Sequence, residues 1–344
     1  MRAFALPVTL WLTNIASSAQ AQPPAGKMWL LEEPPLEHIE GVYGVEITEE
    51  WLEKTQLSGL KYGGGTASFV SPHGLILTNH HVVRGDLSRM EHEGKNLGLH
   101  GYVARRREEE LPIPGASVRQ LVHVEDVTDA VFAGVDLMAT TELVNAALAK
   151  NRQAVLAEAR STNPGRLAEL VTLYRGARVH LYIYRIYSDV RIAFAPELGA
   201  GYFGGETDNF RYPRFALDFS LCRVYENGEP LDSTDFHFTW SDGSLEEGAT
   251  VFSLGSPGST DRLLTVAELE YRRDAFYPAQ TAIMDDFLAA LDVHAKDDPE
   301  SGSRLRELAF GLANAHKSTL GKLGGLRDEA RMKERRAVDR KSVV

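Results

Sequence analysis

Two consecutive histidines, His80 and His81, end the segment Thr78-Asn79-His80-His81, just beyond a short apolar run. An imidazole has an ordinary pKa near ~6.5, so a histidine held rigidly at the end of a buried strand is a candidate general base. On extended backbone neighbouring side chains point to opposite faces, so the two rings are not expected to share a metal ion. No H-E-x-x-H occurs, and His92 and His100 stand on a polar loop without ligand spacing. No metal and no cofactor are expected. The alternative for either histidine is structural: a ring that supports its neighbour.

The second candidate is Asp218, which opens the otherwise apolar stretch Leu217 to Val224. A carboxylate buried there needs a partner, because an unpaired buried charge costs several kcal/mol. A histidine Nδ1–H is one such partner, and the pair fixes the tautomer in which Nε2 takes the proton. The competing reading is a solvent-facing Asp at a strand start. His81 precedes Asp218, each in its own β-rich block.

These residues must be positioned by the elements around them. Thr48 to Leu60 has helix-forming character, with Trp51 and Leu52 on one side, and Gly63-Gly64-Gly65 stops it. Thr66 to Ser71 and Leu75 to Thr78 read as two strands joined by Pro72-His73-Gly74, a hairpin ending at the histidines. Val118 to Val124 is strand-like, and Thr141 to Ala159 carries the composition of one long helix. Glu169 to Tyr174, Ala177 to Tyr184, Val190 to Ala195, Leu217 to Tyr225 and Thr250 to Leu254 read as further strands, with a Gly-rich loop over Gly199 to Gly205. From about Leu264 the texture becomes helical, which places a boundary near Arg262.

Composition narrows the classes. The chain has 344 residues, of which 43% are hydrophobic and 25% charged, enough apolar material for a sizeable core. Disorder, collagen and coiled coil are excluded, and the length suits about two domains by the usual ~100–200 residues each. A single cysteine, Cys222, excludes an internal disulfide framework and any multi-thiolate metal site. The net charge of -11 repels a phosphate backbone, so nucleic acid is not an expected partner.

Gly63 to His81 (GGGTASFVSPHGLILTNHH) closely resembles the catalytic-histidine hairpin of the bacterial dipeptidyl-peptidases of the dipeptidyl-peptidase 7 and 11 type. Tyr202 to Asp218 (YFGGETDNFRYPRFALD) resembles that family's loop and triad-aspartate strand, and Leu254 to Arg262 (LGSPGSTDR) its Gly-x-Pro-Gly turn. The resemblance runs from about Met28 to the end of the chain, weakly in the helices. It implies a mainly β chymotrypsin-like double-barrel peptidase fold with an inserted or appended α-helical domain, here incomplete. Residues 22–262 would be the barrel region and 263–344 the start of the helical domain. It also implies peptide substrates with an unblocked N-terminus and allows a homodimer in the full-length form.

Carried over position by position, His81 matches the general base and Asp218 the carboxylate that orients it. Asn209 matches the asparagine that helps hold the substrate N-terminus, which suits the chemistry, since an amide carbonyl accepts from an ammonium without adding charge. Phe210 stands where the family has an aromatic lining the same subsite. Asn314 matches a helical-domain asparagine that closes over the N-terminus. The family's Cys after the histidine pair is replaced by Val82-Val83. The nucleophilic serine is expected beyond the helical domain and therefore outside this chain. Ser256 lacks the first Gly of a G-x-S-x-G elbow, and Ser241 to Ser244 is a turn by composition.

Met1 to Ala21 reads as an export signal: Arg2, an apolar run to Leu12, then small and polar residues ending in Ala19-Gln20-Ala21. The apolar run is about half of the ~20 residues that a membrane-spanning helix needs. The expected function is therefore an exported serine-type dipeptidyl-peptidase, of which this chain carries two triad members. The rivals are a non-catalytic shell that captures peptide N-termini and a trypsin-like endopeptidase.

Overall fold

The computed structural model describes residues 28–202, 209–210, 214–255, 264–297 and 302–342. The chain begins with helices α1 (Leu36–Tyr43) and α2 (Glu49–Ser58); Thr48 caps α2 by accepting the Trp51 N–H. Strands β1 (Gly59–Tyr62), β2 (Gly65–Phe69) and β3 (Leu75–Thr78) follow, then helix α3 (His80–Leu87). Next come β4 (Val118–Asp126), α4 (Thr141–Thr162), β5 (Leu167–Leu173), β6 (Arg178–Tyr187), β7 (Asp189–Ala195) and β8 (Ser220–Glu226). Helices α5 (Val266–Tyr271), α6 (Tyr277–Asp297), α7 (Gly302–Arg327) and α8 (Glu329–Ser342) complete the described chain.

All eight strands join one antiparallel sheet in the order β7-β8-β3-β2-β1-β4-β6-β5; three short pieces, Tyr102–Val103, Leu111–Pro112 and Glu229–Pro230, bring it to 11 strands. Strand β6 ends at Tyr187, paired with Val118 of β4, yet after Ser188 the chain resumes in β7 with Asp189 paired to Tyr225 of β8. Consecutive strands one residue apart thus belong to distant places in the strand order, so the sheet curls around its inward face. That face is packed with Phe69, Ile76, Val83, Leu87, Val118, Ile192, Cys222 and Val224. Phe69 meets Tyr187 and Phe236 edge-on, with centroids 6.2 and 5.3 Å away. Each such side chain contributes on the order of 1.5–3 kcal/mol by leaving water. A bulge between Ile183 and Tyr184 redirects β6, and beyond it Val131, Val179 and Ile183 form a second core under α4.

The hairpin turn needs its glycine. Gly74 has φ +67°, and a Cβ there would meet the Val224 carbonyl oxygen at 2.6 Å. Its carbonyl accepts the Val224 N–H at 2.9 Å, tying the turn to β8.

Three expectations are corrected. Thr48 to Leu60 is not helical throughout, because Leu60 is buried and pairs with Ala67 and Gln120, so the helix yields to β1 at Gly59. Thr250 to Leu254 is not a strand: it forms no ladder with the described residues, and Phe252 packs instead on Trp51 at 5.3 Å. His80 and His81 are not on extended backbone but open α3, with Asn79 at its N-cap position. The expected mixture of antiparallel sheet followed by helices is what the chain forms. The export signal, Ser256 and the boundary at Arg262 lie outside the described residues. No helix among the described residues is long and apolar enough to cross a membrane.

Candidate active site

The ladder between β3 and β8 builds the site. Ser220 is in register with Thr78, so the residue two places before Ser220 is carried to the first turn of α3. That residue is Asp218. Its carboxylate accepts from His81 Nδ1 at 2.9 Å (Oδ2) and 3.1 Å (Oδ1), and from the His81 backbone N–H at 3.1 Å. Asn79 Nδ2 adds a donor to Asp218 Oδ2 at 3.2 Å and to its main-chain carbonyl at 3.1 Å. The Asp218 side chain is 11% exposed and that of His81 34%, so the carboxylate is sheltered while the ring reaches solvent. Burial acts to raise the carboxyl pKa of Asp218, but the hydrogen bonds from the His81 ring and backbone, with the charges of His81 and Arg214, outweigh it and hold it below the usual value. Asp218 stays ionised, and His81 Nδ1 is fixed as a donor.

His80 does different work. Its ring is fully buried, with Nδ1 3.2 Å from Ser220 Oγ, and it packs against Gly201 so closely that a Cβ there would lie 2.7 Å from its Cδ2. Burial, helped by the Arg84 charge, pushes its pKa down to about 4. The native state then refuses a proton that the unfolded chain, near ~6.5, accepts. Stability is therefore complete above about 6.5 and falls as pH drops toward 4. Urea unfolding at pH 7 and pH 4.5 is expected to show a lower midpoint at pH 4.5, and His80→Gln is expected to flatten that difference. An equal slope in the two proteins would contradict this placement.

The helical part reaches the same region. Asn209, 3% exposed, donates through Nδ2 to Asn314 Oδ1 of α7 at 3.0 Å. Its own Oδ1 is buried and has no hydrogen-bond partner among the described residues. Buried carbonyl oxygens ordinarily accept a hydrogen bond, so this oxygen is available as an acceptor. Phe210 follows at φ 60° and is 59% exposed. Phe310 of α7 stands edge-on to Tyr202 at 4.7 Å and beneath the buried Arg84 guanidinium at 4.9 Å, docking α7 on the helix that carries His81.

Of the residues expected from sequence, His81 is brought to Asp218 and Asn209 to Asn314. Reading the sequence missed Asn79, Arg84 and Phe310. Asn79 carried a signal, since Asn is a preferred N-cap type; the Arg84–Phe310 contact carried none. Cys222 is fully buried with its thiol pKa pushed up, so it is not a nucleophile.

A histidine oriented by a sheltered carboxylate has the geometry needed to take a proton from a nucleophile. The chain belongs to the peptidase S46 family, whose model matches residues 24–342. It is 34% identical over 228 residues to dipeptidyl-peptidase 7 of Phocaeicola vulgatus, covering 62% of this chain and 32% of that one. It is 28% identical over 335 residues to the Asp/Glu-specific dipeptidyl-peptidase of Flavobacterium psychrophilum, covering 90% and 46%. Among solved structures, Porphyromonas endodontalis DPP11 superposes with TM-score 0.74 at 21% identity, over 92% of this chain and 49% of that one, a likeness of fold. The chain thus spans between about a third and a half of the length of these relatives.

Proposed function

We propose that this chain is the base-bearing and substrate-anchoring part of a serine-type dipeptidyl-peptidase. The observation that carries this reading is the unpaired, buried Oδ1 of Asn209. With Nδ2 committed to Asn314, that oxygen can only accept, and a peptide α-ammonium is a donor of the right charge and size. Anchoring the N-terminus at a fixed distance from the cleavage point is what limits removal to two residues at a time. The names of the relatives, dipeptidyl-peptidase 7 and Asp/Glu-specific dipeptidyl-peptidase, point the same way.

In the mechanism, His81 removes the proton from a serine hydroxyl as it attacks the scissile carbonyl carbon, and Asp218 stabilises the imidazolium formed. The same proton passes to the leaving amine as the acyl-serine and the shortened peptide separate. Water, deprotonated by His81, then releases the dipeptide and regenerates the serine. The serine belongs to sequence beyond this chain, as the resemblance implies. In the same reading residues 22–262 are the first part of a chymotrypsin-like double barrel and 263–344 the start of its helical domain. Met1 to Ala21 directs export. The curling of the sheet between Tyr187 and Asp189 supports the barrel, and the switch to helix after Leu264 supports the division.

The longest polypeptide the gene encodes is expected to release a fluorophore from dipeptidyl reporters and not from single-aminoacyl reporters. Equal release from both would favour an ordinary aminopeptidase, and release from neither the binding shell.

A further inference from the structure

Asn79 occupies the N-cap position of α3, with the extended backbone that position requires, φ -71° and ψ 146°, yet its side chain caps nothing. An N-cap asparagine ordinarily turns its carbonyl oxygen back to accept an N–H of the first turn. Here the amide is turned the other way. Asn79 Nδ2 faces two oxygens of one residue, the main-chain carbonyl of Asp218 at 3.1 Å and its Oδ2 at 3.2 Å, and between two acceptors only the NH2 end of the amide fits. The capping that Asn79 leaves undone is supplied by Asp218 Oδ1, which accepts the His81 N–H at 3.1 Å. The carboxylate thereby meets three donor groups from one turn of chain: the Asn79 amide, the His81 backbone and the His81 ring.

We infer that Asn79 is a positioning residue: its amide fixes the rotation of the Asp218 carboxylate, and through it the tautomer and orientation of the His81 ring. The inference rests on the proposed roles of His81 and Asp218 and adds a third group to their arrangement. With Asn79 in place, rotating the carboxylate away from the His81 ring costs the Oδ2 contact as well. Without it, the backbone N–H of His81 still holds Oδ1, which is then shared between that N–H and the ring at 3.1 Å, but Oδ2, the nearer partner of the ring at 2.9 Å, can swing toward water. The imidazole then samples both tautomers. Asn79 is itself exposed, so substitution there opens no cavity and the effect on the ring is separable from packing.

Ser provides the test, because it caps a helix about as well as Asn but has no NH2 to offer Asp218. The full chain labelled with 15N-histidine, and its Asn79→Ser and Asn79→Ala variants, are compared by NMR at pH 8, with His81→Gln assigning the His81 signals. The parent is expected to show His81 protonated at Nδ1, whereas both variants shift to a mixture of tautomers. Asn79→Ser should keep the parent melting temperature. Parent-like His81 signals in Asn79→Ser would overturn the inference and leave Asn79 a cap residue only; so would unfolding of both variants. In the longest gene product, Asn79→Ser is expected to lower kcat about 10-fold with KM unchanged. Should the peptidase reading itself fail, no kcat is measurable, and the tautomer result still decides the role of Asn79.

Discussion

Asp218→Asn is expected to lower kcat of the longest gene product by about 10⁴-fold while leaving the fold intact, the scale seen when a triad carboxylate becomes an amide. The reason lies in what surrounds the side chain. Asp218 meets donors on every side: His81 Nδ1, the His81 N–H and Asn79 Nδ2. An amide has one acceptor oxygen and two donor hydrogens, so one of its ends must oppose an N–H. If the oxygen stays with the His81 N–H that caps α3, the NH2 faces the ring and forces Nδ1 to become the acceptor. The proton then sits on Nε2, the atom that has to remove one from serine. Steady-state kinetics with a dipeptidyl reporter measure the loss, and circular dichroism checks the fold. A variant within 10-fold of the parent would remove Asp218 from the mechanism.

Asn209→Leu is expected to cost about 10- to 100-fold in kcat/KM, the equivalent of one hydrogen bond to a charged group. The side chain keeps its approximate volume and loses the Oδ1 acceptor together with the bond to Asn314. The loss should be absent from the affinity for an N-acetylated dipeptide, measured as competitive inhibition, since this ligand offers no ammonium to the parent either. Asn314→Ala supplies a graded comparison: it frees Asn209 Nδ2 but leaves Oδ1, so a smaller effect is expected. An equal loss of affinity for free and N-acetylated dipeptides would show that Asn209 supports the loop rather than the substrate.

Much of the sheet was legible because its signals are local. Leu75 to Thr78 alternates half-buried and buried residues as a strand with one inward face should, and the Pro72-Gly74 turn before it is equally plain. The long helix over Thr141 to Thr162 announced itself through Ala, Leu and Glu. The start of α3 was misread because Val82 and Val83 favour extended chain, whereas Asp218 supplies a cap from just before a strand far along the chain, which no local pattern reveals. Thr250 to Leu254 failed in the opposite way: its Val and Phe have strand character, but pairing needs a neighbour, and its side chains find Trp51 and Gly59 instead.

The site divides similarly. Residue types singled out two histidines, but nothing in Thr78-Asn79-His80-His81 tells the half-exposed ring from the buried one. Resemblance chose His81; in the structure His81 faces Asp218 and His80 faces Ser220. The Asn209–Asn314 bond joins a loop to a helix far along the chain, so only resemblance could link them in advance.

The central claim is that this site reads a peptide N-terminus. One matched pair of peptides, identical except for acetylation of the first residue, tests it most directly when both are incubated with the longest gene product and followed by mass spectrometry. Stepwise loss of dipeptides is expected from the unblocked peptide and none from its acetylated twin. Internal cleavage of the acetylated peptide at a comparable rate would contradict it.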